Sequence, residues 1–143
     1  MFADCRGAGL VAVGMTLSNV PTIAVVDDDE AVRSALDNLL RSFGLAVAAF
    51  ASAEEFLASP VRGAASCLIA DMQMPGMSGL DLQRHLATSG NRVPVILITA
   101  FPREHVRQQA EAQGVFGFFA KPFEGRPLME CIERALDGGG LAR

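Results

Sequence analysis

The sequence predicts an α/β protein, three-layered and doubly wound around a parallel sheet. Five short apolar runs alternate along the chain with five stretches whose apolar residues recur at helical spacing. The runs are continuous rather than alternating, the pattern of parallel strands covered by helices on both faces. The runs also share a polarity. The first and third lead into aspartates, the fourth ends in a threonine and the fifth stops just before a lysine.

Taken in order, Thr22–Val26 reads as the first buried strand, ended abruptly by Asp27-Asp28-Asp29-Glu30. Ala31, Val32, Ala35, Leu36, Leu39, Leu40 and Phe43 then mark a helix that Gly44 stops. Leu45–Phe50 is the second strand. Ser52 and Glu55 fit the N-cap and N3 positions of a capping box opening a short helix, and Pro60 and Gly63 mark the loop after it. Ser66–Ala70 is the third strand and leads into Asp71. The cluster Met74-Pro75-Gly76-Met77-Ser78-Gly79 is a turn, followed by a helix through Leu80, Leu82 and Leu86 that stops near Gly90. Val93–Thr99 is the fourth strand. Arg103–Gln113 is a mostly polar helix ended by Gly114. Val115–Ala120 is the fifth strand, and Leu128, Ile132, Ala135 and Leu136 belong to a last helix that Gly138-Gly139-Gly140 ends.

Composition bounds the function. The 143 residues are 50% hydrophobic and 20% charged, a balance that fits one packed domain. A net charge of −4 argues against nucleic-acid binding, which rewards clustered positive charge. No apolar stretch reaches the roughly 20 residues needed to span a bilayer. Cys5, Cys67 and Cys131 show no metal or redox spacing, so Cys67 and Cys131 are expected to be buried reduced thiols, which fits a cytoplasmic protein. His85 and His105 lack partners at metal spacing and are expected on the surface. Residues 1–21 are expected to be a disordered N-terminal extension, with an internal start at Met15 as one explanation; 138–143 form a short tail.

In open parallel sheets, ligands bind at the carboxyl ends of the strands. That rule brings Asp27, Asp28, Asp71, Thr99 and Lys121 to one edge. Adjacent carboxylates repel unless a cation neutralises them. A hard divalent ion such as Mg²⁺, which takes oxygen ligands and keeps several waters, fits this donor set. A strand-end aspartate beside it can attack a phosphoryl group, with Lys121 and Thr99 offering charge and a hydrogen bond to the phosphoryl oxygens. The competing structural reading of Asp27 and Asp28 is helix N-capping. Asp29, next to the helix, is better placed for that.

These motifs, Val25-Val-Asp-Asp-Asp-Glu30, Asp71-Met-Gln-Met-Pro-Gly76, Ile98-Thr-Ala100 and Ala120-Lys-Pro-Phe123, resemble those of response regulator receiver domains over residues 22–137. Phe50-Ala-Ser-Ala-Glu-Glu-Phe56 and Pro75-Gly-Met-Ser-Gly-Leu80 are most similar to the FixJ-like subgroup. The resemblance implies a flavodoxin-like (βα)5 fold with strand order 2-1-3-4-5. It implies Asp71 as phosphoacceptor and Mg²⁺ (or Mn²⁺) held by Asp28, Asp71, the backbone carbonyl of Gln73 and, through water, Asp27. Thr99, Ala100 and Lys121 match the phosphate-binding and switch positions, Phe118 the rotating aromatic, and the Lys121-Pro122 bond is expected to be cis. Phe101 departs from the small or polar residues common at its position and is expected to restrict access to the site. The implied partners are a sensor histidine kinase or phosphotransfer protein, and a phosphorylation-dependent homodimer through the fourth helix, fifth strand and fifth helix. No direct binding of nucleic acid or membrane is expected. Six residues after 137 are too few for an output domain, so the expectation is a stand-alone receiver or one excised from a longer regulator. A phosphatase of the haloacid-dehalogenase type also uses a strand-end Asp, but wants a second acid two residues on, where this chain has Gln73. A scaffold that no longer takes phosphate would not need Asp28, Asp71, Thr99 and Lys121 together.

Overall fold

Runs of Val, Ile, Leu and Ala bury both faces of a strand, and three such runs form the middle of the sheet. The computed structural model describes residues 20–139. In it β1 (Thr22–Val26), β3 (Cys67–Asp71) and β4 (Val95–Thr99) are buried along almost their whole lengths. β2 (Ala46–Phe50) and β5 (Gly117–Ala120) form the edges. All pairings are parallel, in the order β2-β1-β3-β4-β5. Helices α1 (Glu30–Ser42), α2 (Ala53–Leu57), α3 (Gly79–Thr88), α4 (Glu104–Ala112) and α5 (Gly125–Arg134) connect and follow the strands.

Alternate side chains of each strand point to opposite faces, so the sheet divides the core in two. Ala24, Val26, Leu68, Ala70 and Leu97 pack with Phe56, Leu82, Leu86 and Ala110 from α2, α3 and α4. Ile23, Val25, Ile69, Ile96 and Ile98 pack with Leu36, Leu40, Leu128 and Ile132 from α1 and α5. Cys67 and Cys131 are free thiols buried in this second half, as expected, and burial pushes the Cys67 thiol up to about 12. His85 and His105 are exposed.

Several expectations differ in detail; β5, for one, begins at Gly117 rather than Val115. Full burial holds for the middle strands only; β2 and β5 each have one neighbour and are half-buried. β4 begins at Val95 rather than Val93, because Pro94 has no N–H to give a neighbouring strand. The Ser52 hydroxyl accepts from Glu55 N–H at 3.1 Å, but the Glu55 carboxylate accepts from Ala51 N–H at 3.0 Å, one residue before the cap. The complete reciprocal box forms instead at Ser78 and Asp81. Finally, the α-helical part of the last helix ends at Arg134, and Ala135–Gly139 continue it as a π turn. Asp29 is the N-cap of α1, accepting from Ala31 N–H at 2.9 Å, and so leaves Asp27 and Asp28 for other work. Cys5, Met15 and most of the expected extension lie outside the described residues, as do the last residues of the tail.

The start of α3 is pressed against the end of β3. A side chain on Gly79 would place its Cβ 2.4 Å from the Asp71 carbonyl oxygen and 3.0 Å from Leu97 Cδ2. Because the first obstacle is backbone, Gly79→Ala is expected to destabilise the fold by about 2–3 kcal/mol in urea unfolding, against a near-neutral Gly63→Ala. A Cβ on Gly63 would meet nothing within 4 Å, so equal effects would contradict this close packing.

Candidate functional site

The carboxyl ends of β1, β3, β4 and β5 converge because the strands run parallel and in register. Asp27 follows β1, Asp71 closes β3, Thr99 closes β4 and Lys121 follows β5. Asp27 and Asp71 are 2% and 5% exposed, while neighbouring Asp28 is exposed. Asp27, Asp28 and Asp71 each present a carboxylate oxygen within 4.8 Å of the others. Lys121 Nζ bridges the buried pair, 3.0 Å from Asp27 Oδ2 and 3.4 Å from Asp71 Oδ1. The Lys121–Pro122 bond is cis.

Backbone donors add partial compensation. Asp27 Oδ1 accepts from Asp29 N–H at 2.9 Å, and Asp71 Oδ1 from Gln73 N–H at 3.3 Å. Thr99 is fully buried; its hydroxyl donates to Gln73 Oε1 at 2.9 Å and accepts from Phe101 N–H at 3.0 Å. Phe118 is half-buried on the α4 side of the sheet, packed on the core that holds Leu97. Ala100 and Phe101 are exposed at the rim, Phe101 to 59%. Of the site residues expected from the sequence, Asp27, Asp28, Asp71, Gln73, Thr99, Ala100, Phe101 and Lys121 lie at the carboxyl end of the sheet, while Phe118 lies within β5, level with Leu97 of β4.

Residues 23–133 match the family model described as the response regulator receiver domain. The chain belongs to the response regulator receiver family. Over 114 residues this receiver is 44% identical to the response regulator protein TodT of Pseudomonas putida, a match covering 80% of this chain and 50% of TodT. The solved structure of the response regulator StyR aligns with a TM-score of 0.76 at 42% identity, covering 82% of this chain and 59% of StyR. That of FixJ-N gives 0.74 at 37% identity, covering 82% of this chain and 94% of that one, in keeping with the FixJ-like grouping. The chain spans about half the length of the curated relatives it matches.

Charge in the acid cluster is only partly offset. Burial raises the Asp71 pKa, and the Asp27 charge raises it further; Lys121 and the Gln73 N–H only partly oppose them. Burial works against the Lys121 charge, but its bonds to Asp27 and then Asp71 outweigh it and lift its pKa above the usual lysine range. One ammonium therefore does not balance three carboxylates. The donor set is all hard oxygen, with spacing and residual negative charge that fit a small divalent cation.

Two supporting contacts have no signature in the sequence. Arg33 Nη1 donates to the Asp27 carbonyl at 2.7 Å, bracing the strand end from α1. Glu54 on α2 accepts from Met77 N–H at 3.1 Å and so ties down the loop after Asp71. Neither spacing is a motif, and both depend on how side chains reach across elements.

The Asp71 shift has a signed consequence. With its folded pKa raised, the folded state binds this proton more tightly than the unfolded state. Its stability contribution therefore falls as pH rises from the unfolded value through the folded one. Asp71→Asn is expected to raise the melting temperature of the metal-free protein at pH 7 by about 2–6 °C, a gain that shrinks below pH 4. Differential scanning calorimetry across pH checks this, and a lower melting temperature at pH 7 would contradict it.

Proposed function

We propose that this receiver accepts a phosphoryl group on Asp71 from the phosphohistidine of a sensor histidine kinase or phosphotransfer protein, and answers with a change in its protein contacts. The carrying observation is the buried Asp27–Lys121–Asp71 bridge beside exposed Asp28. The ligands for Mg²⁺ (or Mn²⁺) are Asp28, Asp71 and the Gln73 carbonyl, with Asp27 acting through water. Such an ion neutralises the acids and offsets charge on the transferring phosphoryl oxygens.

Asp71 supplies the attacking carboxylate oxygen. As its O–P bond forms, the N–P bond of the donor breaks and the imidazole leaves with the electron pair. Lys121 already contacts Asp71 and is placed to pair with a phosphoryl oxygen. The Thr99 hydroxyl turns to a second oxygen, and the backbone at Ala100 lines the same side. Phe118, at the less covered edge of the sheet, turns into the space that Thr99 vacates. Movement there reshapes the surface of α4, β5 and α5, the proposed contact face for a partner or a second phosphorylated copy. A difference of about 1–3 kcal/mol between two packings suffices for 5–150-fold coupling. This is signalling, with catalysis confined to the receiver's own phosphorylation and dephosphorylation. A kinase partner of this kind places it in the cytoplasm; the described residues include no helix long and apolar enough to cross a membrane.

Acetyl phosphate with Mg²⁺ is expected to label the wild type and not Asp71→Ala, read by intact-protein mass; labelling of the variant at an unchanged rate would remove Asp71 from its role. Phe101 stands at the rim, and we assign it the part of slowing water's approach. Phe101→Ala is expected to lose its phosphoryl group several-fold faster, and equal decay rates would contradict that part.

A further inference from the structure

The Gln73 side chain makes a contact that phosphoryl transfer does not use. A buried hydroxyl needs a partner, and the Thr99 hydroxyl has one proton to give. It gives that proton to Gln73 Oε1 at 2.9 Å, across a separation of 26 residues. The β3–β4 register, pairing Asp71 with Ile98, brings the loop after β3 beside the end of β4. The Gln73 backbone N–H meanwhile sits on Asp71 Oδ1 at 3.3 Å. One residue therefore touches the acceptor acid with its backbone and the switch hydroxyl with its side chain.

We propose that the Gln73 carboxamide is a positioning latch: it holds the Thr99 hydroxyl in the resting arrangement and competes with the incoming phosphoryl oxygens for its proton. The proposal rests on the receiver reading above and adds a residue that sets how readily the site closes on its ligand. The exchange is asymmetric. Gln73 is exposed, so water meets its carbonyl oxygen on release. Thr99 is fully buried and passes from a neutral acceptor to a charged one, which makes the stronger bond. The latch thus opposes closure modestly without preventing it. Removing the amide leaves the resting hydroxyl without its acceptor and shifts the balance toward the ligand-bound arrangement.

The test uses Gln73→Met, which keeps side-chain length and removes the amide, alone and combined with Thr99→Val. The probe is beryllofluoride with Mg²⁺, a phosphoryl mimic on aspartate, followed by the NMR signal of the Phe101 amide that donates to Thr99 Oγ1. Gln73→Met is expected to bind beryllofluoride about three- to tenfold more tightly, the range of one net hydrogen bond. Its Phe101 amide is expected to move, without ligand, toward the ligand-bound position. In the Thr99→Val background the Gln73 substitution is expected to change nothing, and Gln73→Ala to repeat the pattern of Gln73→Met. Unchanged or weaker binding by Gln73→Met would overturn the latch, as would equal tightening in the Thr99→Val background. If wild type itself does not respond to beryllofluoride, the phosphoacceptor reading of Asp71 falls, and the latch with it.

Discussion

Two buried carboxylates sharing one ammonium, with a third at the surface beside them, form the constraint on which the rest of this structure depends. Asp27 and Asp71 lie almost out of water at the ends of neighbouring strands, where burial and the charge of Asp27 both disfavour the ionised form of Asp71. The fold offsets that cost locally. Lys121 reaches in from the end of β5, and the N–H groups of Asp29 and Gln73 donate to the two carboxylates. What remains uncompensated is negative charge lined by oxygen, the condition under which a divalent cation and then a phosphoryl group bind well.

Holding this arrangement requires rigid support. β1, β3 and β4 are sealed between two halves of the core, so their ends cannot relax apart to separate the charges. α3 begins so close to the Asp71 carbonyl that only glycine fits at position 79. Arg33 braces the carbonyl of Asp27, and Glu54 the loop after Asp71. Toward β5 the support thins. Phe118 and its neighbours are half-buried, and Thr99 is held by hydrogen bonds to exposed Gln73 and the rim backbone of Phe101. Rigidity is concentrated where charge is stored, and adaptability where a response would begin.

The sequence made most of this legible because the decisive residues end strands. Buried parallel strands leave continuous apolar runs, so Asp27, Asp71, Thr99 and Lys121 could be placed by where those runs stop. The edges were harder. β2 and β5 have one neighbour each, and Val115 and Phe116 extend the apolar run of β5 beyond the strand itself. Capping was partly legible: Asp29 and Ser52 cap as expected, but Ser78 with Asp81 lacks the Glu or Gln that marks the usual box. The Gln73–Thr99 and Arg33–Asp27 contacts were not legible at all. They depend on rotamers reaching between elements, which periodicity does not encode.

The proposed cation site joins the three carboxylates in one cluster at the ends of β1 and β3. Isothermal titration of Mg²⁺ into the wild type and into Asp28→Asn tests it most directly, because Asp28 is the exposed member and its replacement leaves the buried Asp27–Lys121–Asp71 bridge in place. The wild type is expected to bind one ion saturably and the variant at least tenfold more weakly, with unchanged melting temperature in the absence of metal. Undetectable binding by the wild type, or equal affinity in the two proteins, would contradict it.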